Sequence, residues 1–359
     1  MVLHLLKTMK KKKLTRNEET VLYGLVRYPD LTDSQLSDII NIKTSTISSI
    51  KKRLINRRYY RPITIPMINH FGCELLAVLY TQFNPVIPLE ERIKTTRKTI
   101  EIFPEIFFSV GEPEKGFSIS LSKNYTTIGQ INERRTETFG RLGLLDKKYP
   151  SEVIFPFQIS TIKRFFDTSR LIKKMFNIQE TEDDEKEETW FNTVDYTTLN
   201  NKEKKVLEAY VEHPSATTQE IGDMISLSRH TVSRIKKRLY NEDLLRTINI
   251  PDLHMIGADL LVFHHFKFNP HKAPSKEEIL TLDSPFTLFF AFRKYEAVVI
   301  SAYPSYYDHK EDEIQKIRGL KEKDLLSPSP VIEPYQYGRM TIIKDIDFTH
   351  LIKKILKNI

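Results

Sequence analysis

The sequence repeats itself, and the repeat limits the folds that the chain can adopt. At an offset of 185 residues, LTDSQLSDIINIKTSTISSIKKRL (31–54) aligns without a gap to ATTQEIGDMISLSRHTVSRIKKRL (216–239). About 27 of the 72 positions in 14–85 are identical to their counterparts in 199–270. Further along, VIFPFQ (153–158) resembles VIEPYQ (331–336). The sequence therefore predicts a unit of roughly 180 residues that occurs twice.

Composition and charge restrict the class of protein further. Of the 359 residues, 40% are hydrophobic and 28% are charged, which suits more than one buried core. Cys73 is the single cysteine, so we expect no intrachain disulfide and a reducing, cytoplasmic location. Apolar runs are far shorter than the roughly 20 residues of a membrane span, and the N-terminus lacks the charge order of a secretory signal. The net charge of +8 favours an anionic partner.

Each unit begins with apolar residues at helical spacing. In the second unit these residues predict a helix before Pro214, a second helix capped by Thr217 or Thr218, and a third over 229–240. The expected inward residues of the last two helices are Ile221, Met224, Ile225, Val232, Ile235 and Leu239, and those of the first unit are Leu36, Ile39, Ile40, Ile47, Ile50 and Leu54. Three short helices, the last two joined by a tight turn, indicate a helix-turn-helix.

The rest of each unit changes to alternating and short apolar runs. Strands are expected at 59–65 and 244–250, as a wing or connector, and then an order β-α-β-β-α-β that is typical of a ferredoxin-like sandwich. We therefore predict an α+β tandem repeat, in which a winged helix-turn-helix is followed by a ferredoxin-like α/β sandwich. The expected domains are 1–68, 69–178, an acidic linker at 179–195 that contains ETEDDEKEE, 196–253 and 254–359.

The third helix of each unit carries the charge that points to a partner. Its candidate DNA-binding residues in the first unit are Lys43, Thr44, Ser45, Ser48, Ser49, Lys51, Lys52 and Arg53. In the second unit they are Ser228, Arg229, His230, Ser233, Arg234, Lys236, Lys237 and Arg238. A helix fits the major groove of B-DNA, where short polar and arginine side chains near its N-terminus read bases and later cations bind phosphates.

The two units differ at the expected base-reading positions. Thr44, Ser45 and Ser49 stand where the second unit has Arg229, His230 and Arg234, so two bound half-sites should differ in sequence. The run of lysines at 10–13 could serve as a phosphate-binding arm, and a solubilising tail explains it equally well.

Residues 217–239, with the strand that leads to Ile256 and Gly257, resemble the DNA-binding half of the feast/famine (Lrp/AsnC) regulators; the first unit matches with Gly72. The resemblance implies a transcription regulator that binds double-stranded DNA, with α/β domains that oligomerise and bind a small-molecule effector. That family usually has one unit per chain. Two fused units would form a pseudo-dimer within one chain, with half-sites about one helical turn (~34 Å) apart, and a homodimer of whole chains stays open.

Two alternatives remain beside this hypothesis. Feast/famine-like folds also occur in sirohaem decarboxylases, and the groups that could serve such an enzyme here are His254, His264, His265, His271, Arg293 and Lys294. His264 and His265 are neighbours on a predicted strand, so they should point to opposite faces, and ordinary strand histidines explain them better. We expect no enzymatic activity and no cofactor. A winged-helix scaffold for protein interactions is the third reading.

Other chemistries lack a signal in the sequence. One cysteine and scattered histidines do not supply a zinc site, so no metal is expected, and no phosphate-binding or nucleophile-elbow motif occurs. Six phenylalanines could line an effector pocket, but core packing is their more natural role: Phe107, Phe108, Phe286, Phe289, Phe290 and Phe292. Trp190 is expected to anchor the second unit.

Overall fold

The computed structural model describes residues 13–146, 149–179, 189–193, 195–327 and 329–357. The acidic run at 180–188 and the lysines at 10–12 lie outside the described residues. The elements of the first unit are α1 (Arg16–Arg27), α2 (Asp33–Ile40), α3 (Thr44–Asn56), β1 (Tyr60–Pro66), a 3-10 turn (Ile68–Phe71), β2 (Leu75–Gln82), α4 (Leu89–Ile102), β3 (Ile106–Gly111), β4 (Lys115–Ser122), α5 (Tyr125–Arg141), β5 (Ser151–Pro156), β6 (Thr161–Phe165) and α6 (Ser169–Met175).

The second unit presents its elements in the same order. They are α7 (Asn201–Glu212), α8 (Thr218–Ile225), α9 (Arg229–Asn241), β7 (Leu245–Pro251), the short α10 (Leu253–Ile256), β8 (Leu260–Lys267), α11 (Lys276–Leu280), β9 (Thr287–Arg293), β10 (Glu296–Tyr303), α12 (Tyr306–Glu322), β11 (Val331–Gln336), β12 (Thr341–Lys344) and α13 (Thr349–Lys357). The predicted α+β class, with a helix-turn-helix and an α/β part in each unit, is confirmed.

Matching caps begin the first two helices of each unit. Each is a capping box, in which the cap side chain and the carboxylate or amide three residues later bind each other's backbone: Thr15/Glu18, Thr32/Gln35, Asn200/Glu203 and Thr217/Glu220. The tight turns follow at Asn41 and Ser226, whose φ angles are 51° and 57°. Left-handed residues stop α2 and α8 and redirect the chain into the third helix.

The inward residues of the third helices were predicted correctly. Ile47, Ile50 and Leu54, like Val232, Ile235 and Leu239, are buried. The prediction was wrong for Ile39 and Met224, which are 48% and 55% exposed. Helices of eight residues bury only the side that faces their neighbours, and these two equivalent positions lie on the other side.

The two sheets of the α/β parts show how the units combine. Their strand orders are β12-β3-β4-β2-β5 and β11-β8-β10-β9-β6. In each sheet four consecutive strands come from one unit in the ferredoxin-like order, and the fifth strand, at one edge, comes from the other unit. β6 pairs with β9, and β12 pairs with β3. Neither exchanged strand was expected from the sequence.

The wing strands also pair across the units. β1 and β7 run antiparallel in full register, from Tyr60 opposite Pro251 to Pro66 opposite Leu245. Asn249 on β7 donates to the buried carbonyl oxygen of Leu25 on α1 at 2.7 Å. The helix-turn-helix of each unit is therefore fixed against the wing of the other.

Candidate nucleic-acid interface

The third helix of each unit exposes one continuous stripe of polar residues. In α3 the stripe is Thr44, Ser45, Ser48, Ser49 and Lys52, and in α9 it is Arg229, His230, Ser233, Arg234 and Lys237. These positions have the spacing i, i+1, i+4, i+5 and i+8, which lies along one side of a helix. The exposed Lys43 and Ser228 precede the two stripes as helix caps. The ten stripe residues are thus all accessible to a partner.

Part of the positive charge of the first unit is paired with carboxylates of the same unit. Asp33, the first residue of α2, accepts hydrogen bonds from Ser48 Oγ at 2.5 Å and from Lys51 Nζ at 3.1 Å. Arg53 Nε lies 2.8 Å from Glu18 Oε1 on α1, and Arg57 lies 3.8 Å from the same oxygen. Lys51, a candidate DNA-binding residue, is half-buried in an ion pair, because α2 brings Asp33 beside it.

These contacts hold both carboxylates in the ionised form. Burial raises the pKa of Asp33, but the hydrogen bonds from Ser48 and Lys51 outweigh it and leave the pKa below its usual value. Burial also raises the pKa of Glu18, and the Thr15 backbone N–H together with Arg53 brings it below the usual value. Both groups are negative at neutral pH, so they cancel cationic charge beside α3.

In the second unit, more of the positive charge of the third helix is available to a partner. Arg229, Arg234 and Lys237 form no ion pair within the described part of the chain. The guanidinium of Arg238 binds Glu203 and lies 2.8 Å from Glu242. This candidate DNA-binding residue is therefore paired with carboxylates of its own unit. The cations of the stripe therefore remain available to a partner.

Lys236 was a candidate DNA-binding residue, but its side chain is packed against aromatic rings. Its Nζ atom lies 4.7 Å from the ring centre of Tyr210 and 5.6 Å from that of Tyr240. Burial lowers the pKa of Lys236, and the charge of Asp30 offsets this only in part. The ammonium group thus lies over α7 and helps to hold α9 in place.

The histidines of the enzyme hypothesis do not come together. His264 and His265 point to opposite faces of β8, as predicted. The buried His264 stacks on Phe266, whereas the Nδ1 atom of His265 lies 3.0 Å from the hydroxyl of Tyr80 in the other unit. His254, His271 and Lys294 are exposed, and His254 stacks on Tyr337. Arg293 binds Glu296, which also contacts His265 Nε2 at 3.0 Å.

The surface between the two sheets is filled by aromatic side chains. Phe117 of β4 stacks on Phe263 of β8 with ring centres 5.3 Å apart, and Tyr335 contacts Phe117 at 5.4 Å. The phenylalanines considered for an effector pocket are buried in the cores, as expected. Trp190 pairs with Ile162 of β6 and packs 5.2 Å from Phe165, with Arg246 above its ring.

An open groove lies at the edge of this surface, where both units contribute. It encloses about 400 Å³ and is lined by Glu112, Pro113, Glu114, Lys115, Leu260, Tyr306, Pro334, Gln336 and Arg339. The described residues contain no cluster of three or more metal-ligating side chains. None of the helices in the described ranges is long and apolar enough to span a bilayer.

Comparison with known families supports the helix-turn-helix. Residues 197–239 match the family model of sigma-70, region 4. That stretch contains α7, α8 and nearly all of α9, so the match coincides with the helix-turn-helix of the second unit. Among curated proteins, none matches the sequence significantly.

Comparison with solved structures gives matches over most of the chain and matches over a part of it. The siroheme decarboxylase NirDL is 11% identical, with 95% of this chain and 99% of NirDL covered and a TM-score of 0.52. Its complex with an iron-uroporphyrin III analogue is 10% identical, with 96% of this chain and 99% of that chain covered and a TM-score of 0.51. At such identities the likeness concerns the fold. An AsnC-family transcriptional regulatory protein from Pyrococcus furiosus is 23% identical, with 40% of this chain and 90% of that chain covered and a TM-score of 0.30.

The residues that sequence reasoning missed are the carboxylates beside the third helices. Glu18 and Glu203 were visible as the third residues of capping boxes, but this pattern gives no sign of the arginines they also bind. Asp33 is an ordinary acidic residue for the first turn of a helix. Only the packing of α2 on α3 shows that Asp33 lies between Ser48 and Lys51.

Proposed function

We propose that the protein is a DNA-binding transcription regulator whose two helix-turn-helix units occupy neighbouring major grooves. The observation that carries this proposal is the pair of exposed polar stripes on α3 and α9, whose cations Lys52, Arg229, Arg234 and Lys237 form no ion pair with any residue in the described ranges. The match to sigma-70 region 4 over the second helix-turn-helix supports it. Arginine near the N-terminus of a groove-bound helix suits guanine, and the later lysines suit phosphates.

We infer that the two units act as a dimer within one chain. The antiparallel pairing of β1 with β7 and the exchange of β6 and β12 are the contacts that support this inference. Two helices held in this way would meet half-sites about one turn (~34 Å) apart. In this proposal the protein is a regulator of cytoplasmic DNA and not an enzyme. A small-molecule effector would act at the α/β parts, where the groove beside Lys115 and Tyr306 offers groups of both charges.

Binding to duplex DNA at several salt concentrations tests the proposal. Sequences enriched from a random duplex pool serve as specific DNA, and a scrambled duplex of equal length serves as the reference. We expect log Kd to rise linearly with log salt concentration, with a slope of about 0.9 for each phosphate contact. Arg234→Ala should lose about 1–3 kcal/mol on the selected sequence and far less on the scrambled one.

Lys237→Ala should weaken binding to both duplexes alike and reduce the salt slope by about one. Lys321→Ala, at an exposed cation on α12, is the matched control and should change neither quantity. If the unaltered protein does not bind duplex DNA at low salt, or if all three variants behave alike, the proposal is wrong.

A tetrapyrrole-binding enzyme is the second candidate. The likeness to NirDL over 95% of this chain favours it, and so does the partly buried contact of His265 with Tyr80 between the two units. Absorbance spectra recorded during titration with sirohaem distinguish the two candidates. A saturable shift of the main absorption band that His265→Ala abolishes would support the enzyme. A spectrum equal to that of free sirohaem would argue against it.

A further inference from the structure

One acidic position distinguishes the two helix-turn-helix units beside their exposed stripes. Asp33 is the first residue of α2, and its counterpart 185 positions later, Thr218, is the first residue of α8. The neighbours in the third helix are the same in both units: Ser48 and Lys51 correspond to Ser233 and Lys236. The units therefore offer a natural comparison in which a carboxylate has been exchanged for a neutral side chain.

Asp33 engages two polar groups of the first unit that a partner could otherwise bind. Ser48, a member of the exposed stripe, donates to one oxygen of Asp33, and the ammonium group of Lys51 binds the other. The side chain of Asp33 remains 26% exposed next to the stripe. A DNA phosphate that approached Ser48 would therefore meet a negative charge at short range, where repulsion is strong.

The second unit has the neutral Thr218 at the position of Asp33. Ser233 is exposed, and Lys236 packs on Tyr210 and Tyr240, with Asp30 acting on it through charge alone. The stripe of α9 also carries Arg229 and Arg234, where that of α3 has Thr44 and Ser49. Arginine makes bidentate contacts with guanine that threonine and serine cannot make.

We propose that the two units bind DNA unequally. The second unit supplies most of the affinity and most of the contacts that discriminate between bases. Asp33 weakens the binding of the first unit to the phosphate backbone. This inference rests on the proposed DNA-binding function and adds that Asp33 shifts the balance of binding towards the second unit. In a natural operator one half-site would consequently be well defined and the other degenerate.

Exchange of the two residues tests the inference. Asp33→Thr gives the first unit the residue of the second, and we expect the Kd for a scrambled duplex at about 0.15 M salt to fall roughly three- to tenfold, with the salt slope steeper by about one. The reverse change, Thr218→Asp, should raise the Kd by at least the same factor. Asp33→Asn removes the charge but keeps an acceptor for Ser48, and it should reproduce most of the effect of Asp33→Thr.

A second pair of variants reports which unit holds the DNA. Lys52 and Lys237 occupy equivalent stripe positions. In the otherwise unaltered protein, Lys237→Ala should raise the Kd more than Lys52→Ala, and this difference should shrink when Asp33→Thr is also present. Circular dichroism melting curves verify that each variant is folded.

The outcomes separate the inference from the function on which it rests. If the unaltered protein binds DNA, but Asp33→Thr and Asp33→Asn leave its Kd and salt slope unchanged, the inference is wrong and the proposed function stands. The same holds if Lys52→Ala and Lys237→Ala cost equally much. If the unaltered protein does not bind duplex DNA, both are wrong.

Discussion

At the scale of single residues, a core position of β8 is occupied by a titratable ring. His264 is fully buried, with its Nδ1 atom 3.3 Å from the carbonyl oxygen of Val299. Burial lowers the pKa of His264 well below its ordinary value, and the nearby Lys316 and His309 act in the same direction. The equivalent residue of the first unit is Leu79, so the fold does not need a histidine there.

This burial should make stability depend on pH. The unfolded chain binds a proton at His264 near pH 6.5, and the folded chain does so only at a lower pH. The contribution of His264 is therefore complete above pH 6.5 and is lost as the pH falls, by at most about 1.4 kcal/mol per pH unit. His264→Leu should flatten the free energy of unfolding between pH 7 and 5, as measured with urea. Equal slopes for both proteins would contradict this.

At the scale of elements, the turn of the second helix-turn-helix depends on close backbone contact. A Cβ atom at Gly222 in α8 would lie 2.6 Å from the carbonyl oxygen of Leu227, which is too close for any real contact. The first unit has Ser37 at this position, so its turn already accommodates a side chain. The two units thus share a pattern of helices but differ in how tightly the turn packs.

Gly222→Ala should accordingly destabilise the second unit. A backbone atom must move to make room, and such overpacking costs about 1–3 kcal/mol, more than the helix propensity that alanine gains. Hydrogen exchange of α8 and α9 should accelerate while that of α2 and α3 stays unchanged. Ser37→Ala is the matched control, and a loss of stability as large as that of Gly222→Ala would contradict the argument.

At the scale of the whole molecule, neither sheet is complete without the other unit. β6 brings Phe165 into the second unit, where its ring lies 5.1–6.3 Å from those of Phe191, Phe289 and Phe348. On the opposite side, β12 lies beside β3, and Lys344 Nζ donates to the carbonyl oxygen of Ile106 at 2.7 Å. Each unit therefore contributes to the stability of the other.

We expect the two α/β parts to unfold together. Phe165→Ala should remove about 3–5 kcal/mol, because it empties a fully buried site shared by both units. Differential scanning calorimetry of the unaltered chain should show one main transition for the α/β parts, and the variant should shift that transition as a whole. Two separated transitions, of which only one shifts, would show that the units are energetically independent.

The sequence by itself determined the repeat, the three helices of each unit and the inward residues of the third helices. These features follow from local rules, since apolar spacing, caps and prolines act within a few residues of one another. The same rules could not find the contacts between elements. Asp33 beside Lys51, and Tyr210 beneath Lys236, join residues 18 and 26 positions apart.

Only the tertiary structure decided which cations remain free and how the units are joined. The exchanged strands β6 and β12 are short and weakly patterned, and they are strands because a sheet edge of the other unit offers them hydrogen bonds. Likewise, the charge that α3 presents to a partner depends on a carboxylate held by another helix. Sequence patterns record what each segment prefers, whereas pairing across the molecule depends on which segments the fold brings together.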